Sequence, residues 1–205
     1  MVGRIGEHGP SAQALAEHVA GTEAEQFLEE TGCRWLAKPF RLRDLLRTAK
    51  EILTRLAIGR GVLLADDVGL GKTFIALALA AEARRPLVVG PAALRAMWSD
   101  AAAQTAVPLE YRSYEALSRS PMPAKGYDLV ILDEAHHFRT PRTGRYGHLA
   151  RGLVGARVVL LTATPIHNSD RDLRALLALF LGALAWAVDE GVLATHVIRR
   201  EQEDV

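Results

Sequence analysis

The stretch GVLLADDVGLGKTFIALALAA, residues 61–81, decides how this chain folds. It opens on Gly61-Val62-Leu63-Leu64-Ala65, a short run that is apolar on both faces, as a strand covered on both sides of its sheet is. From Lys72 to about Ala83 the run is long and apolar and reads as a helix. Between the two lies a turn carrying Gly69 and Gly71. A strand, a glycine-rich turn and a helix in this order aim backbone N–H groups and the positive end of the helix dipole at one point, where an anion is held. The backbone of Asp67, Gly69, Leu70 and Gly71 would line that point. Lys72 would reach the β- and γ-phosphates of a nucleotide, and the Thr73 hydroxyl would hold Mg²⁺. The usual phosphate-loop pattern has glycine where Asp66 stands. The competing reading is a plain turn with Lys72 in solvent.

Working outward, three further runs share the character of residues 61–65: PLVVG at 86–90, YDLVILD at 127–133 and RVVLLT at 157–162. Helical patterns separate them, near 92–104 and over 169–181, the latter capped by Ser169 or Asp170. Alternating strands and helices give an α/β fold around a parallel sheet with both faces covered. Asp133-Glu134-Ala135-His136 follows the third run. Carboxylates at the C-terminal end of a parallel strand lie where open α/β sheets bind ligands. Asp133 is expected to hold Mg²⁺ on the strand next to the phosphate turn, and Glu134 to orient and deprotonate an attacking water. Thr162-Ala163-Thr164-Pro165 closes the fourth run, and its small hydroxyl residues can hydrogen-bond His136 or the acidic pair.

Composition sets the outer limits. Of 205 residues 49% are apolar and 24% charged, which excludes wholesale disorder and a fibrous repeat. No run of ~18 apolar residues is free of charge, so no membrane span is expected. The start, MVGRIGEHGP, lacks the apolar core of a secretory signal. Cys33 is the one cysteine, which permits no internal disulfide, and the expected compartment is reducing and cytoplasmic. The net charge of +1 points neither to nor away from nucleic acid. Arg139, Arg142, Arg145, Arg151 and Arg157 fall in a stretch without an acid; a solvated loop is the expected reading and a phosphate track the alternative. The adjacent His136 and His137 are expected to point apart and so not to share a metal. Trp35, Trp98 and Trp186 read as core. Apolar residues at 42, 45, 46, 49, 52, 53 and 56 mark a helix, and the main boundary is placed near 57–61, separating an N-terminal appendage (1–57) from the sheet-bearing lobe (58–205).

DDVGLGKT, LVVGPAALRAMW, DEAHHF and LLTATPIHN together resemble motifs I, Ia, II and III of the superfamily 2 helicase-like ATPases, and most closely the Swi/Snf-type branch, which carries Asp at the position of Asp66. SYEAL at 113–117 is similar to the Tyr-containing segment between motifs Ia and II, and VIRREQEDV at 197–205 to the double-arginine segment that ends the family's first lobe. The resemblance covers about residues 60–205. It implies a RecA-like first lobe that binds ATP and Mg²⁺ and, with a second RecA-like lobe in cis or in trans, moves on double-stranded DNA. It further implies that Lys72, Asp133 and Glu134 are catalytic and that His136, Thr162, Ala163 and Thr164 couple the site to movement. These 205 residues contain no Gln-x-x-Gly-Arg box, so the expected hydrolysis depends on completion by the second lobe; a non-catalytic ATP-binding or interaction module is the alternative. Leu46 stands where the family has an adenine-reading Gln. Residues 21–56 resemble the C-terminal end of a response-regulator receiver domain, including Lys38-Pro39; the plainer reading of this appendage is an accessory helix on the lobe.

Overall fold

A computed structural model of the chain describes residues 42–122, 126–163 and 170–200. Most of the receiver-like segment, with Cys33, Trp35 and Lys38-Pro39, therefore lies outside the described residues, as do Thr164 and Pro165. The elements are α1 (Leu42–Ile58), β1 (Gly61–Leu64), α2 (Lys72–Ala81), β2 (Pro86–Gly90), α3 (Arg95–Thr105), β3 (Glu110–Ser113), α4 (Tyr114–Arg119), β4 (Leu129–Leu132), α5 (Gly144–Gly152), β5 (Arg157–Leu161), α6 (Asp170–Leu181), α7 (Glu190–Ala194) and β6 (Val197–Ile198).

All six strands form one parallel sheet in the order β3-β2-β4-β5-β1-β6. The four strands that are apolar on both faces occupy its centre, because only there are both faces covered. Residue alternation divides the core. Val62, Leu64, Val88, Leu129, Ile131, Val159 and Leu161 face one layer, formed by α1, α2 and α3. Leu63, Leu87, Val89, Val130, Leu132, Val158 and Leu160 face the other, formed by α4, α5 and α6.

Two expectations change here. The strand bearing Asp133 is not the neighbour of β1, because β5 inserts between β4 and β1. The parallel crossovers, not the chain order, set who stands beside whom, and the acidic pair faces the phosphate turn across the end of β5. The edge strands β3 and β6 were not read at all. β3 is Glu-Tyr-Arg-Ser, too polar and too short to stand out, and is held by pairing with β2.

The helix α1 is part of the core. Leu45, Ala49, Ile52 and Leu56 are buried in the same cluster as Ile75 and Leu79 of α2. The Arg55 guanidinium donates through Nη1 to the carbonyls of Thr195 at 2.6 Å and Val197 at 3.1 Å, tying α1 to β6. Packing is continuous across residue 57, so at the described residues the appendage takes the form of a helix laid on the lobe.

Candidate functional site

Gly69 and Gly71 have φ of 91° and 76°, a region that costs side-chain-bearing residues strain, and this lets the turn double back into the start of α2. The first α2 N–H groups that close on the turn, those of Phe74 and Ile75, donate to the Gly71 carbonyl at 3.0 and 3.1 Å. Lys72 lies back over the turn, its Nζ donating to the carbonyls of Asp66 and Asp67, each at 2.8 Å. Lys72 is therefore not a solvated side chain. Burial pulls its ammonium below the usual lysine range, while Asp66, Glu134, Asp133 and Asp67 oppose that pull.

Across β5, Asp133 is fixed on every side. Its N–H donates to the Val89 carbonyl at 2.9 Å and its own carbonyl accepts from the Tyr114 hydroxyl. Its carboxylate accepts from the Trp98 indole Nε1 at 2.9 Å through Oδ2, and from the Glu134 N–H at 3.0 Å through Oδ1. Burial pushes the Asp133 carboxyl above its usual range, and the Trp98 hydrogen bond works against it. Gly90 leaves room for this arrangement: a Cβ there would come within 2.6 Å of the Tyr111 hydroxyl, which donates to the Pro91 carbonyl at 2.6 Å. Glu134 adopts φ 52°, a left-handed conformation rare outside glycine and costing about 1–3 kcal/mol, of the kind concentrated at functional sites. Glu134 Oε2 lies 3.2 Å from His136 Nδ1. Burial, with His137 and Arg139 adding to it, lowers the His136 pKa, and Asp133 opposes them.

A cleft of about 310 Å³ joins the two halves. Gly69, Gly71, Lys72, Thr73, Asp133, Glu134 and Ala163 line it, together with an apolar wall from Leu94, Met97 and Ala101. Asp67 and Leu70 are not among the cleft residues, and the Leu70 side chain is buried. Thr162 is buried at the end of β5.

Two residues important to this geometry escaped the sequence reading. Trp98 is core, as expected, whereas Trp186 is 48% exposed; a fully buried indole needs an acceptor, and here it is the Asp133 carboxylate. Arg200 binds the Asp66 carboxylate beneath the turn. Conversely, the arginine stretch is not a continuous track. Arg139 lies 3.8 Å from Asp172, Arg145 donates to the His137 carbonyl at 3.2 Å and stacks over Tyr114 and Phe138, and Arg157 lies 3.9 Å from Asp128. His136 and His137 do not point apart: their rings sit 4.4 Å apart at 31°, because the 3₁₀ turn that follows Glu134 brings them together. No group of three potential metal-binding side chains occurs among the described residues.

Trp98→Phe keeps the ring and removes the donor. Leaving a buried carboxylate oxygen unmatched costs about 1–3 kcal/mol, which in a chain of this size lowers the melting temperature by roughly 2–12 °C. Calorimetric melts of both proteins check this; equal midpoints would show that the bond contributes nothing.

A sheet of this order, with a glycine turn opening a helix and an acidic pair at a nearby strand end, defines a RecA-like α/β lobe. The comparisons with known proteins agree. The SNF2-related domain matches residues 99–189. An ATP-dependent helicase of Bacillus subtilis, YqhH, is 31% identical over 159 residues, covering 65% of this chain and 28% of the relative. The RNA polymerase-associated protein RapA of Pseudomonas putida is 34% identical over 174 residues, covering 65% and 18%. Among solved structures, the Sulfolobus solfataricus SWI2/SNF2 ATPase core in complex with dsDNA superposes with a TM-score of 0.67 at 18% identity, over 82% of this chain and 45% of that one. The lobe thus has the fold of the SWI2/SNF2 ATPase core and resembles the SNF2-related domain over residues 99–189, and the chain spans less than a third of the curated relatives it matches. No helix among the described residues is long and apolar enough to cross a membrane.

Proposed function

We propose that residues 58–205 bind Mg-ATP in this cleft and hydrolyse it once a second RecA-like lobe, in cis or in trans, closes on the site, driving movement on double-stranded DNA. The observation that carries the reading is the convergence of Lys72, Thr73, Asp133 and Glu134 on one cleft from elements 60 residues apart in sequence. In this reading the turn from Val68 to Gly71 supplies backbone N–H groups to the phosphates and Lys72 exchanges its two carbonyl partners for phosphate oxygens. The donor set for a cation is a hydroxyl (Thr73) and a carboxylate (Asp133), oxygen ligands suited to Mg²⁺ held chiefly through phosphates and water. When bound, Mg²⁺ supplies charge neutralisation for the phosphate oxygens. Asp133 suits that task because two N–H donors fix its carboxylate in one orientation. Glu134, steadied by its contact with His136, orients a water and takes its proton. His136 beside Glu134, and Thr162 and Ala163 at the end of β5, would sense lobe closure. The dsDNA complex of the structural neighbour and the polymerase association in RapA's name support a nucleic-acid partner.

Two substitutions test the site. Lys72→Ala removes hydrogen bonds of the charged kind, worth about 1.5–3 kcal/mol, so Mg-ATP binding should weaken by roughly 10- to 100-fold in a calorimetric titration. Equal affinities would take Lys72 out of the site. Glu134→Gln should leave that affinity near wild type and abolish hydrolysis in the completed motor. Wild-type binding with no turnover, even with a second lobe supplied, would instead identify a non-catalytic ATP-binding module.

A further inference from the structure

Asp66 stands where phosphate turns usually have glycine, and its side chain takes no part in the cleft. It is wholly buried, facing a residue 134 positions later. The backbone N–H of Arg200 donates to Asp66 Oδ1 at 2.9 Å and its Nε to Oδ2 at 2.9 Å, and Nη2 also contacts Oδ2. The same Nη2 reaches the Leu70 carbonyl at 3.1 Å. The strand hydrogen bonding runs on past β6: Ala65 N–H donates to the Ile198 carbonyl at 2.8 Å and Asp67 N–H to the Arg200 carbonyl at 3.3 Å. One guanidinium thus holds the turn at its first residue and near its last without itself lining the cleft. From above, Lys72 grips the carbonyls of Asp66 and Asp67. The Asp66 carboxyl is pushed up by burial and pulled back by Arg200.

We propose that Arg200 is a positioning residue for the phosphate turn: clamped to Asp66 and to the Leu70 carbonyl, it holds residues 66–71 in the shape that receives phosphate, so nucleotide affinity depends on a side chain outside the cleft. The inference rests on the nucleotide reading of the cleft given above. A planar fork suits the task because it engages a carboxylate and a carbonyl at once in fixed geometry, which an ammonium cannot do. A buried ion pair that only held the fold together would act on stability and leave affinity alone. Removing both charges together often leaves stability unchanged or raises it, and this separates the two roles.

The test uses the full 205-residue chain, with Mg-ATP affinity by calorimetry and melting temperature measured on the same preparations. Asp66→Leu/Arg200→Met removes the clamp without stranding a charge; it should melt within a few degrees of wild type and bind Mg-ATP at least tenfold more weakly. Arg200→Lys keeps the charge but not the fork and should fall between the two. Arg200→Met alone should bind no better than the double variant, since both lose the same clamp. Should the single variant fail to fold, the double variant and Arg200→Lys decide. Wild-type affinity in both, measured well below the melt, would overturn the proposal and leave a purely structural pair. Lys72→Ala separates the two levels of failure. If wild type binds, Lys72→Ala binds weakly and the Arg200 variants bind normally, only the role of Arg200 falls; if wild type itself does not bind Mg-ATP, the nucleotide reading falls and takes this inference with it.

Discussion

The 205-residue chain alone should turn over ATP at roughly 10⁻⁵ to 10⁻¹ per second, and a matching second lobe should raise that by about 10³- to 10⁵-fold. Phosphoryl-transfer enzymes with complete sites run at about 1–100 per second, and an arginine finger accounts for about 10³–10⁵ of the rate. The cleft has a lysine and an acidic pair, but no arginine lines it among the described residues. Arg200 cannot serve, because it is 8% exposed and committed to Asp66. Arg199 lines a separate pocket with Asp170 and Glu190, and Arg139 and Arg145 are tied down beside the histidines. Duplex DNA should add little to the isolated chain, since in the proposed motor it is closure of a second lobe that would bring the missing charge to the γ-phosphate. A phosphate-release assay with and without DNA, and with the second lobe supplied in trans, measures each rate. Turnover above about one per second by the isolated chain, lost in Glu134→Gln, would mean that it assembles a complete site by itself and would sink the half-motor reading.

The second large effect concerns α1. Ile52 is fully buried among residues of α1, α2 and the sheet. Ile52→Ala should cost about 2–5 kcal/mol, a large share of the ~5–15 kcal/mol that holds a domain folded. At roughly 2–4 °C per kcal/mol the melting temperature falls by about 4–20 °C. Arg47→Ala, on the exposed side of the same helix, should stay within about 0.5 kcal/mol of wild type and serves as control. A chain lacking residues 1–57 should not fold, because it uncovers Val62, Ile75 and Leu79 together. A truncated chain that melted like wild type would make α1 a dispensable attachment. Thermal melts followed by circular dichroism distinguish these outcomes.

The same helix shows what the sequence could and could not reveal. Its apolar spacing predicts α1, but spacing does not say what the apolar stripe touches, which is the cluster around Ile75 and Leu79. The central strands were legible because burial on both faces demands unbroken apolar runs. The edge strands were not, since β6 is only Val197-Ile198 and owes its existence to β1. That Lys72, Thr73, Asp133 and Glu134 share one cleft was legible because the glycine turn and the acidic pair both follow apolar strands of one parallel sheet. Strand order was not, which is why Asp133 was placed one strand too near. Trp98 and Arg200 were missed for a related reason. A donor in a helix and an acceptor 35 positions later, or a carboxylate and a guanidinium 134 apart, become partners only once the sheet is assembled.

The sheet order also bears on how the polypeptide is made. Among the described strands β1 is the first to leave the ribosome, yet its neighbours are β5 and β6. Val62, Leu63 and Leu64, all fully buried in the finished lobe, must wait for β5, which is synthesised roughly a hundred residues later, or about 5–20 s at ordinary elongation rates. For that interval the nascent chain displays an unpaired, wholly apolar strand, the kind of segment that seeds edge-to-edge aggregation. The strand that carries the phosphate turn is thus the one most in need of shelter at birth, and trigger-type chaperones acting near the exit tunnel should crosslink to residues 61–65 until Val158 and Val159 have emerged to pair with them.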